Sequence, residues 1–472
     1  MTAGDSRANG GGPDGGEPDD DKEYDLVGVG IGPFNLSLAA LADGVPGLTA
    51  LFLEERPEFR WHPGLMFEDA RLQVPFLADL TSLVDPTSRW SFLAYLRDRD
   101  RLFPFYFAER FHVTRREYED YCRWASSGLP ACRFDARVEA VGWDAARSRF
   151  VVEYAGTAGD RHRVLARDVV LGVGTEPVVP AALAHLVGDR VFHAARYLDH
   201  RAALAGARDV TVVGSGQSGA EVFLDVLRGA PAAERHVTWL TASPAFAPME
   251  YSKLGLEHFT PDYTRFFRGL PAAVRDELVP GQWQLYKAIS AETIADIHDL
   301  LYDRSTGGAD PGATLRPGVV VTEGETGPDG RILLRCRHEL AGAEFEHRTD
   351  AVVLATGYVA RRPPCLAPVE HLVDWDERGR YRVAADYRVA LDASVTGSLF
   401  VQNAEEHTHG VGAPDLGLGA WRSARILNAL TGGTAYRLPA TTAFTSFGAP
   451  PGAAGDRVVD ARAPGDLARG RT

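Results

Sequence analysis

Three features of the sequence predict an α/β fold with two parallel-sheet units. Two glycine-rich turns, within residues 27–41 and 211–224, each close an apolar strand and open a helix. A third apolar strand ends at an ATG turn at 355–357, and residues 255–305 have a helical pattern without strand alternation. We therefore expect two dinucleotide-binding (Rossmann-like) domains with a small helical segment that caps a substrate site.

The first turn has the composition of a nucleotide site. Backbone N–H groups and the positive end of a helix meet at such a turn, and glycine lets the backbone approach a pyrophosphate closely. Gly28, Gly30 and Gly32 occupy the turn, and Asn35 stands where a third glycine is usual. Glu54 ends the next apolar strand, roughly 20 residues downstream, where an acidic side chain binds a ribose hydroxyl. The turn predicts an adenosine site, which we interpret as that of FAD.

The second turn carries the complete glycine pattern. Gly214, Gly216 and Gly219 form GxGxxG between the strand DVTVVG and the helix AEVFLDVL. Either turn alone could be a tight strand–helix connection in another α/β protein. Two such turns with the expected flanks favour FAD together with a nicotinamide dinucleotide.

The order of these signals predicts an FAD domain interrupted by a nicotinamide domain, with the strand before Ala355 returning to the first sheet. The start of the chain is rich in Gly, Asp and Pro, and its end in Ala, Gly, Pro and Arg. The predicted units are a disordered tail over 1–22, the first part of the FAD domain over 23–205, the inserted NAD(P)H domain over 206–340 with the helical segment 255–305, the second part of the FAD domain over 341–440, and a flexible tail over 441–472.

Length and charge limit the classes of function. The 472 residues suffice for two or three cores. A net charge of −14 without a dense basic stretch argues against a nucleic-acid partner, although the charge could attract a cationic substrate or serve solubility alone. No apolar run approaches the ~18 residues of a membrane span, and the start lacks a signal-peptide pattern. We expect no membrane partner and a cytoplasmic location.

The cysteines exclude another class. They form no CxxC pair and no metal-ligand spacing, which argues against a flavin disulfide reductase and leaves no metal site to expect. The four positions are Cys122, Cys132, Cys336 and Cys365.

Further motifs lie between and after the turns: WHPG at 61–64, DPTS at 85–88, FTPDY at 259–263 and HTHG at 407–410. With the turns, they resemble the flavin-dependent N-hydroxylating monooxygenases of siderophore biosynthesis, the lysine, ornithine and diamine N-monooxygenase family. The resemblance covers nearly everything from Tyr24 to about Gly432.

The resemblance implies an enzyme that uses FAD and NADPH, with NADH a possible donor, to transfer one oxygen atom of dioxygen to a primary amine and give a hydroxylamine. Its partners are then a small-molecule amine and dioxygen, and a homo-oligomer is possible. The amine must be neutral to react, although an alkyl ammonium has a pKa near ~10.4. An apolar pocket disfavours the cation and lowers the cost of deprotonation.

The resemblance also implies roles for individual residues, with Gln73 and Asn403 as catalytic candidates. Other interpretations stay open, because Trp61 and His62 could pack beneath a loop and Asn403 could cap a following helix. The implied cofactor-binding residues are Gly28, Gly30, Gly32, Pro33, Asn35 and Glu54 for FAD, Trp61, His62 and Gln73 beside the flavin, Gly214, Gly216, Gln217, Ser218 and Gly219 for the nicotinamide dinucleotide, and Thr356 and Gly357 in the ATG turn.

His407 and His409 have the appearance of metal ligands, but no third ligand accompanies them in the sequence. A structural role, or a place beside the flavin, is therefore the favoured interpretation.

The chain departs from the pattern of the amino-acid hydroxylases. Ala78 stands in LQVPFLADL, where members acting on amino acids commonly carry a lysine for the substrate carboxylate. Thr260 and Ser290 replace asparagines of the ornithine enzymes, although lysine-type relatives share such replacements. A carboxylate buried without its cation is costly. Ala78, Thr260, Ser290 and Asn403 thus predict a substrate site for a diamine, cadaverine or putrescine.

Another departure concerns the nicotinamide. Residues 241–244 follow the strand VTWL where relatives usually carry an arginine for the 2′-phosphate, and here they read TASP. We therefore expect a weak preference for NADPH. Alternative functions are L-lysine or L-ornithine hydroxylation, a different flavin monooxygenase, whose FxGxxxH motif is missing, and a silent flavoprotein that binds or senses.

Overall fold

A computed structural model describes residues 21–156, 159–433 and 435–450. Its first sheet has seven strands. They are β1 (Glu23–Val29), β2 (Ala50–Leu53), β3 (Cys132–Arg133), β4 (Ala136–Asp144), β5 (Arg149–Gly156), β6 (Arg161–Leu171) and β17 (Leu399–Val401). Strands β1, β2, β3, β6 and β17 pair in parallel, and β4 and β5 extend the sheet in antiparallel fashion.

The second sheet has five parallel strands in the order β11-β10-β9-β15-β8. They are β8 (Val191–His193), β9 (Asp209–Val213), β10 (His236–Leu240), β11 (Ala313–Arg316) and β15 (Ala351–Leu354). Two small antiparallel sheets accompany it. One contains β12 (Val319–Thr326), β13 (Ile332–His338) and β14 (Ala343–Thr349), and the other contains β7 (Thr175–Pro177) and β16 (Tyr358–Ala360).

Helices cover the sheets and form the segment between β10 and β11. They are α1 (Pro33–Ala42), α2 (Phe92–Asp98), α3 (Leu102–Ala108), α4 (Arg115–Gly128), α5 (Tyr197–His200), α6 (Gln217–Arg228), α7 (Pro261–Arg268), α8 (Ala272–Gly281), α9 (Trp283–Tyr286), α10 (Ala291–Arg304), α11 (Glu406–His409) and α12 (Gly419–Leu430). Helices α7 to α10 confirm the helical pattern of residues 255–305.

Apolar strands and one proline explain the start of the fold. Strand β1 is central and parallel, so both its faces are buried, and its Leu26 and Val27 have no exposed surface. Leu26 packs with the α1 residue Leu36 on one side of the sheet, and Val27 packs with Val169 of β6 on the other. Helix α1 begins at Pro33, where a residue without an N–H group is well tolerated.

The predicted place of β15 is wrong. We expected the strand before Ala355 in the first sheet, but it lies beside β9, with Val352 opposite Thr211. The first sheet receives β17 instead, next to β6. Short apolar parallel strands look alike in sequence, and only pairing partners decide which sheet they enter. The second sheet therefore draws strands from both sides of the predicted limits 206 and 340.

The two terminal segments were predicted to be disordered or flexible, and the structure shows ordered contacts for part of each. Residues 1–20 and 451–472 lie outside the described residues. The Asp21 N–H donates to the Arg163 carbonyl at 2.9 Å, so residue 21 already pairs with β6. At the other end, the predicted loose tail is wrong for residues 442–445, because Asp262 and Glu257 accept hydrogen bonds from their backbone.

No helix in the described ranges is long and apolar enough to span a membrane. The cytoplasmic location and the possible homo-oligomer stay predictions.

Candidate active site

One large cavity runs along the carboxyl ends of the strands in both main sheets. Its volume is about 3820 Å³, well above the ~300–1,000 Å³ of a pocket for a single small molecule. Both glycine turns line it. In open α/β sheets this edge is where ligands bind, and the size allows more than one ligand at a time.

The first turn presents bare backbone to the cavity. Gly30 has φ +85°, and a Cβ there would lie 2.7 Å from the Gly172 carbonyl oxygen, so only glycine fits. Gly32 is the N-cap of α1 and Pro33 follows it, with no side chain capping the helix. Gly30, Gly32 and Pro33 all line the cavity. The turn is thus a cradle for an anionic group such as a pyrophosphate.

Two residues that the sequence predicts to contact FAD, Gly28 and Asn35, instead pack inside the protein and support the first turn. Gly28 lies within β1 against Phe52, whose ring would lie 2.1 Å from an added Cβ. Asn35 is fully buried, and its amide donates to the Gly30 carbonyl at 2.8 Å and accepts from Gln402 Nε2 at 2.7 Å. Neither Gly28 nor Asn35 lines the cavity. A third glycine in such a turn usually allows close packing of the helix on the strand. Here Gly172 makes room for Asn35 instead, since an added Cβ on Gly172 would lie 2.4 Å from Asn35 Cγ.

Glu54 has the position predicted for a ribose ligand. It follows β2 and lines the cavity. Its Oε2 accepts from the Ile31 N–H at 2.8 Å, and its Oε1 accepts from the Arg56 N–H at 3.2 Å. These bonds fix the carboxylate beside the turn and leave further acceptor capacity for a hydroxyl group.

Trp61, His62 and Gln73 all line the cavity. The Trp61 ring centroid lies 5.2 Å from those of His62 and Tyr118. His62 is exposed towards the cavity, and desolvation together with the nearby Arg115 and Arg56 lowers the pKa of its imidazole. Gln73 Nε2 is buried without a hydrogen-bond partner in the structure. A buried donor of this kind fits a ligand acceptor, as a flavin ring would supply.

The second turn is built as predicted from the GxGxxG pattern. Gly214 has φ +115°, and a Cβ there would lie 2.1 Å from the Ala355 carbonyl oxygen. A Cβ on Gly219 would lie 2.2 Å from the Gly214 oxygen, and Gly216 is the uncapped N-terminus of α6. Gly214 and Gly216 line the cavity with Ser218. These glycines fit a second dinucleotide.

Gln217 joins the second turn to the helical segment. Its Oε1 accepts from the Ser290 N–H at 2.8 Å, and its Nε2 donates to Thr293 Oγ1 at 3.0 Å. Ser290 is the N-cap of α10, where its Oγ accepts from the Thr293 N–H at 3.2 Å. Ser290 lines the cavity at the second turn. Ser290 is therefore a helix cap, and because it lines the cavity it also stays a candidate substrate residue.

Thr260 has no access to the cavity. It is the N-cap of α7, with its Oγ1 donating to the Glu257 carbonyl at 2.6 Å and accepting from the Tyr263 N–H at 3.4 Å. It is not among the residues that line the cavity. The structure thus gives this predicted substrate residue a capping role.

The ATG turn lies at the junction of the two sheets. Thr356 and Gly357 line the cavity after β15. Thr356 Oγ1 donates to the Val178 carbonyl, and the Val178 N–H donates to the Gly357 carbonyl at 3.0 Å. Gly357 has φ +86°, in the region that favours glycine. The turn stays a predicted cofactor contact, now next to the second sheet.

Asn403 lines the cavity in a left-handed conformation with φ 66°. It does not cap α11, whose N-cap is Glu405. Glu405 forms a fully buried ion pair with Arg422 at 3.1 Å behind the cavity wall. Burial raises the pKa of the Glu405 carboxyl, and the Arg422 guanidinium opposes that shift. This pair supports the loop from which Asn403 faces the cavity.

The two histidines of HTHG make protein contacts. His407 Nε2 lies 2.8 Å from the Tyr381 carbonyl oxygen, and the His409 ring stacks on Tyr387 with centroids 4.4 Å apart. Burial lowers the pKa of both imidazoles. Over the described residues, no group of three or more His, Cys, Asp or Glu side chains could hold a metal ion.

The cavity end at Ala78 is acidic, which sequence reasoning did not predict. Ala78 is buried and lines the cavity, and an added Cβ on Gly417 would lie 4.0 Å from its methyl group. Asp415 Oδ1 accepts from the Gly417 N–H at 2.7 Å, and burial raises the pKa of Asp415 to about 6. Burial, then the charges of Glu292 and Asp415, raise the pKa of Tyr251 to about 12. Tyr251, Glu292 and Asp415 all line the cavity.

Sequence reasoning also missed an ion pair between helices α4 and α6. Arg115 of α4 donates to Glu221 of α6 through Nη1 at 2.9 Å and Nη2 at 2.7 Å. Both side chains line the cavity and are largely buried. The two residues are 106 positions apart in the sequence, so no local pattern could reveal the bidentate pair.

Two glycine cradles on one cavity, an acidic residue after β2 and an unpartnered amide donor define a flavoprotein oxidoreductase with a second, nicotinamide site. The profile of the L-lysine 6-monooxygenase/L-ornithine 5-monooxygenase family matches residues 22–360. The chain belongs to this family, whose members are flavin-dependent N-hydroxylating monooxygenases.

Similar proteins include enzymes named for siderophores and diamines. The rhizobactin siderophore biosynthesis protein RhbE of Rhizobium meliloti is 44% identical over 434 residues, covering 91% of this chain and 96% of that protein. Putrescine N-hydroxylase of Shewanella oneidensis is 39% identical, covering 90% and 84%. The FAD-bound structure of DfoA, the cadaverine monooxygenase of the desferrioxamine pathway in Erwinia amylovora, superposes with a TM-score of 0.87 at 38% identity, covering 91% of this chain and 99% of DfoA.

Proposed function

We propose that the protein hydroxylates one amino group of a small diamine, cadaverine or putrescine, with FAD, NADPH and dioxygen, as a step toward a hydroxamate siderophore. The names of the similar enzymes from Shewanella and Erwinia support a diamine substrate. The observation that carries the proposal is the carboxylate of Asp415 at the cavity end formed by Ala78 and Gly417.

A diamine and an amino acid make opposite demands on this end of the cavity. When one nitrogen of a diamine lies at the reacting end, its other nitrogen is an ammonium ion several carbon atoms away. Asp415, held by the Gly417 N–H, is a suitable partner for that ammonium. Lysine or ornithine would bring an α-carboxylate in addition to an α-ammonium next to Asp415, and the small Ala78 provides no cation for that carboxylate. Like charges in a partly desolvated site are unfavourable.

The residues present fit the two cofactors. Gly30 and Gly32 would hold the FAD pyrophosphate, with Glu54 on the ribose, and Gly214 and Gly216 would hold the nicotinamide dinucleotide. Bound FAD supplies the oxygen-transferring chemistry once NADPH has reduced it.

Two polar side chains are proposed to orient the reacting end. Gln73 Nε2 donates to an acceptor in the cavity, since it has no protein partner there. Asn403 faces the same cavity from its left-handed turn, at a loop fixed by Glu405 and Arg422. Trp61 and His62 line the cavity close to the cations Arg56 and Arg115, and positive charge nearby favours the neutral amine over its ammonium form.

The test is a side-by-side product assay. The purified, FAD-loaded protein is incubated with NADPH and equal concentrations of cadaverine, putrescine, lysine or ornithine, and hydroxylamine formation is measured together with NADPH oxidation. We expect both diamines to give hydroxylamine with a higher kcat/KM than either amino acid. A preference for lysine over both diamines would contradict the proposal. Measuring product matters because NADPH oxidation alone also reports uncoupled turnover.

A further inference from the structure

Residues 441–448, here called the C-terminal strap, lie across α7 and the turn before it. Asp262 Oδ2 accepts hydrogen bonds from the N–H of Thr442 at 2.5 Å, from Thr442 Oγ1 at 3.0 Å and from the N–H of Ala443 at 3.0 Å. Glu257 accepts from the N–H groups of Phe444 at 3.0 Å and Thr445 at 2.8 Å. Two carboxylates thus bind four consecutive backbone N–H groups.

An aromatic side chain adds an apolar anchor. The Phe447 ring lies 5.0 Å from the ring of Tyr263, 5.5 Å from that of His258 and 6.1 Å from that of Phe266, measured between centroids. Phe447 is only partly exposed, whereas Phe444 in the same strap is 98% exposed. One phenylalanine of the strap therefore packs on α7, and the other does not.

Buried side chains of α7 lie between the C-terminal strap and the cavity end at Ala78 and Asp415. Tyr263 and Phe267 of α7 form a buried cluster with Val411, and Val411 lines the cavity. Phe267 also packs on Gly410, where an added Cβ would lie 3.1 Å from its ring. Residues 410–417 form the loop that ends at Asp415 and Gly417. The strap, α7 and this loop are thus stacked in order.

We propose that the C-terminal strap is a positioning element for the amine: it holds α7 against the loop 410–417 and so fixes the cavity end that binds the substrate. None of its residues touches the cavity. The glycine cradles for both dinucleotides are formed by other elements, so a loosened strap should change amine binding and leave cofactor binding unchanged. The proposal rests on the proposed function only in using an amine as the substrate.

The test compares Phe447→Ala with the matched control Phe444→Ala in the full-length, FAD-loaded enzyme. The measurements are KM and kcat for the amine, KM for NADPH, the FAD content, and the fraction of oxidised NADPH that yields hydroxylamine. For Phe447→Ala we expect the KM for the amine to rise by about five- to tenfold, as the loss of aromatic contacts corresponds to a change of this order. We also expect a smaller coupled fraction, with unchanged FAD content and KM for NADPH.

Controls separate positioning from general stability. Phe444→Ala should behave as the wild type, and Phe447→Tyr, which keeps the ring, should restore most of the amine affinity. Unchanged KM and coupling in Phe447→Ala would overturn the proposal, as would equal losses of FAD and amine binding. The comparison uses whichever amine the wild type hydroxylates best, so a wrong choice of substrate class would appear in the wild-type assay alone.

Discussion

The substitution Asp415→Asn removes the charge proposed to hold the far ammonium of a diamine. Asparagine keeps the shape and can still accept from the Gly417 N–H, whose bond to Asp415 is 2.7 Å. Burial raises the pKa of the carboxyl from 3.8 to about 6, which at 1.36 kcal/mol per pKa unit is about 3 kcal/mol of unfavourable charge burial. A nearby ammonium offsets part of it. A hydrogen bond to a charged group contributes about 1.5–3 kcal/mol, so we take about 2 kcal/mol for its loss, or roughly a 30-fold rise in KM.

The assay is steady-state hydroxylamine formation from cadaverine, with FAD content and the KM for NADPH as controls. Both controls should stay at wild-type values, since Asp415 lies at the Ala78 end of the cavity. The selectivity for cadaverine over lysine should fall as well, because the repulsion of the lysine carboxylate is also removed. An Asp415→Asn variant that is folded, FAD-loaded and unchanged in its KM for cadaverine would refute the reasoning.

The same carboxyl group predicts two effects of pH. Below about pH 6 the wild-type Asp415 becomes protonated, so the KM ratio between Asp415→Asn and wild type should fall towards one. Without amine, the folded pKa lies above the unfolded value, so the folded state binds more protons between these values and loses stability as pH rises through this window. The variant should therefore have a higher Tm than wild type at pH 8, with little difference at pH 4.

Three further outcomes are expected. Gly30→Val should abolish FAD binding, because its φ is +85° and a Cβ would lie 2.7 Å from the Gly172 carbonyl oxygen; full flavin occupancy in the purified variant would disprove the assignment of the first turn. Ala78→Lys should raise the KM for cadaverine at least about tenfold by like-charge repulsion and lower the cadaverine-to-lysine ratio of kcat/KM, and an unchanged ratio in a folded, FAD-loaded variant would count against the substrate assignment. Kinetics with both dinucleotides should show less than about a tenfold preference for NADPH, because residues 241–244 contain no cation for a 2′-phosphate; a strong preference would require an arginine or lysine from elsewhere, such as Lys253.

Local patterns predict the two glycine turns, but they do not reveal the acidic residue beside Ala78. Gly30 and Gly214 are recognisable because a left-handed glycine between strand and helix is a local requirement. Asn35 was assigned to the cofactor, but its contact with Gln402 depends on a residue 367 positions away. Asp415 has no spacing pattern, and its significance comes from facing the same cavity as Ala78.

Helix caps and strand order were also beyond sequence reasoning. Comparison with the asparagines of the ornithine enzymes predicts a substrate role for Thr260. In the structure this threonine is the N-cap of α7, which is a common role of a threonine before a helix. The strand β15 was given to the wrong sheet because its four apolar residues pair equally well in either. The cap of Thr260 is a local contact within three residues, whereas the place of β15 depends on strand β9, more than 130 residues away.

The bond between Asn35 and Gln402 has a consequence for biosynthesis of the enzyme. The first turn is synthesised long before Gln402, whose side chain lies 367 positions later and completes the hydrogen bonding of Asn35. Tyr436 then donates to the Leu41 carbonyl at 2.6 Å and closes the same helix. Contacts of such sequence separation form late in folding. The nascent chain therefore carries its first glycine turn without this contact until Gln402 has been synthesised.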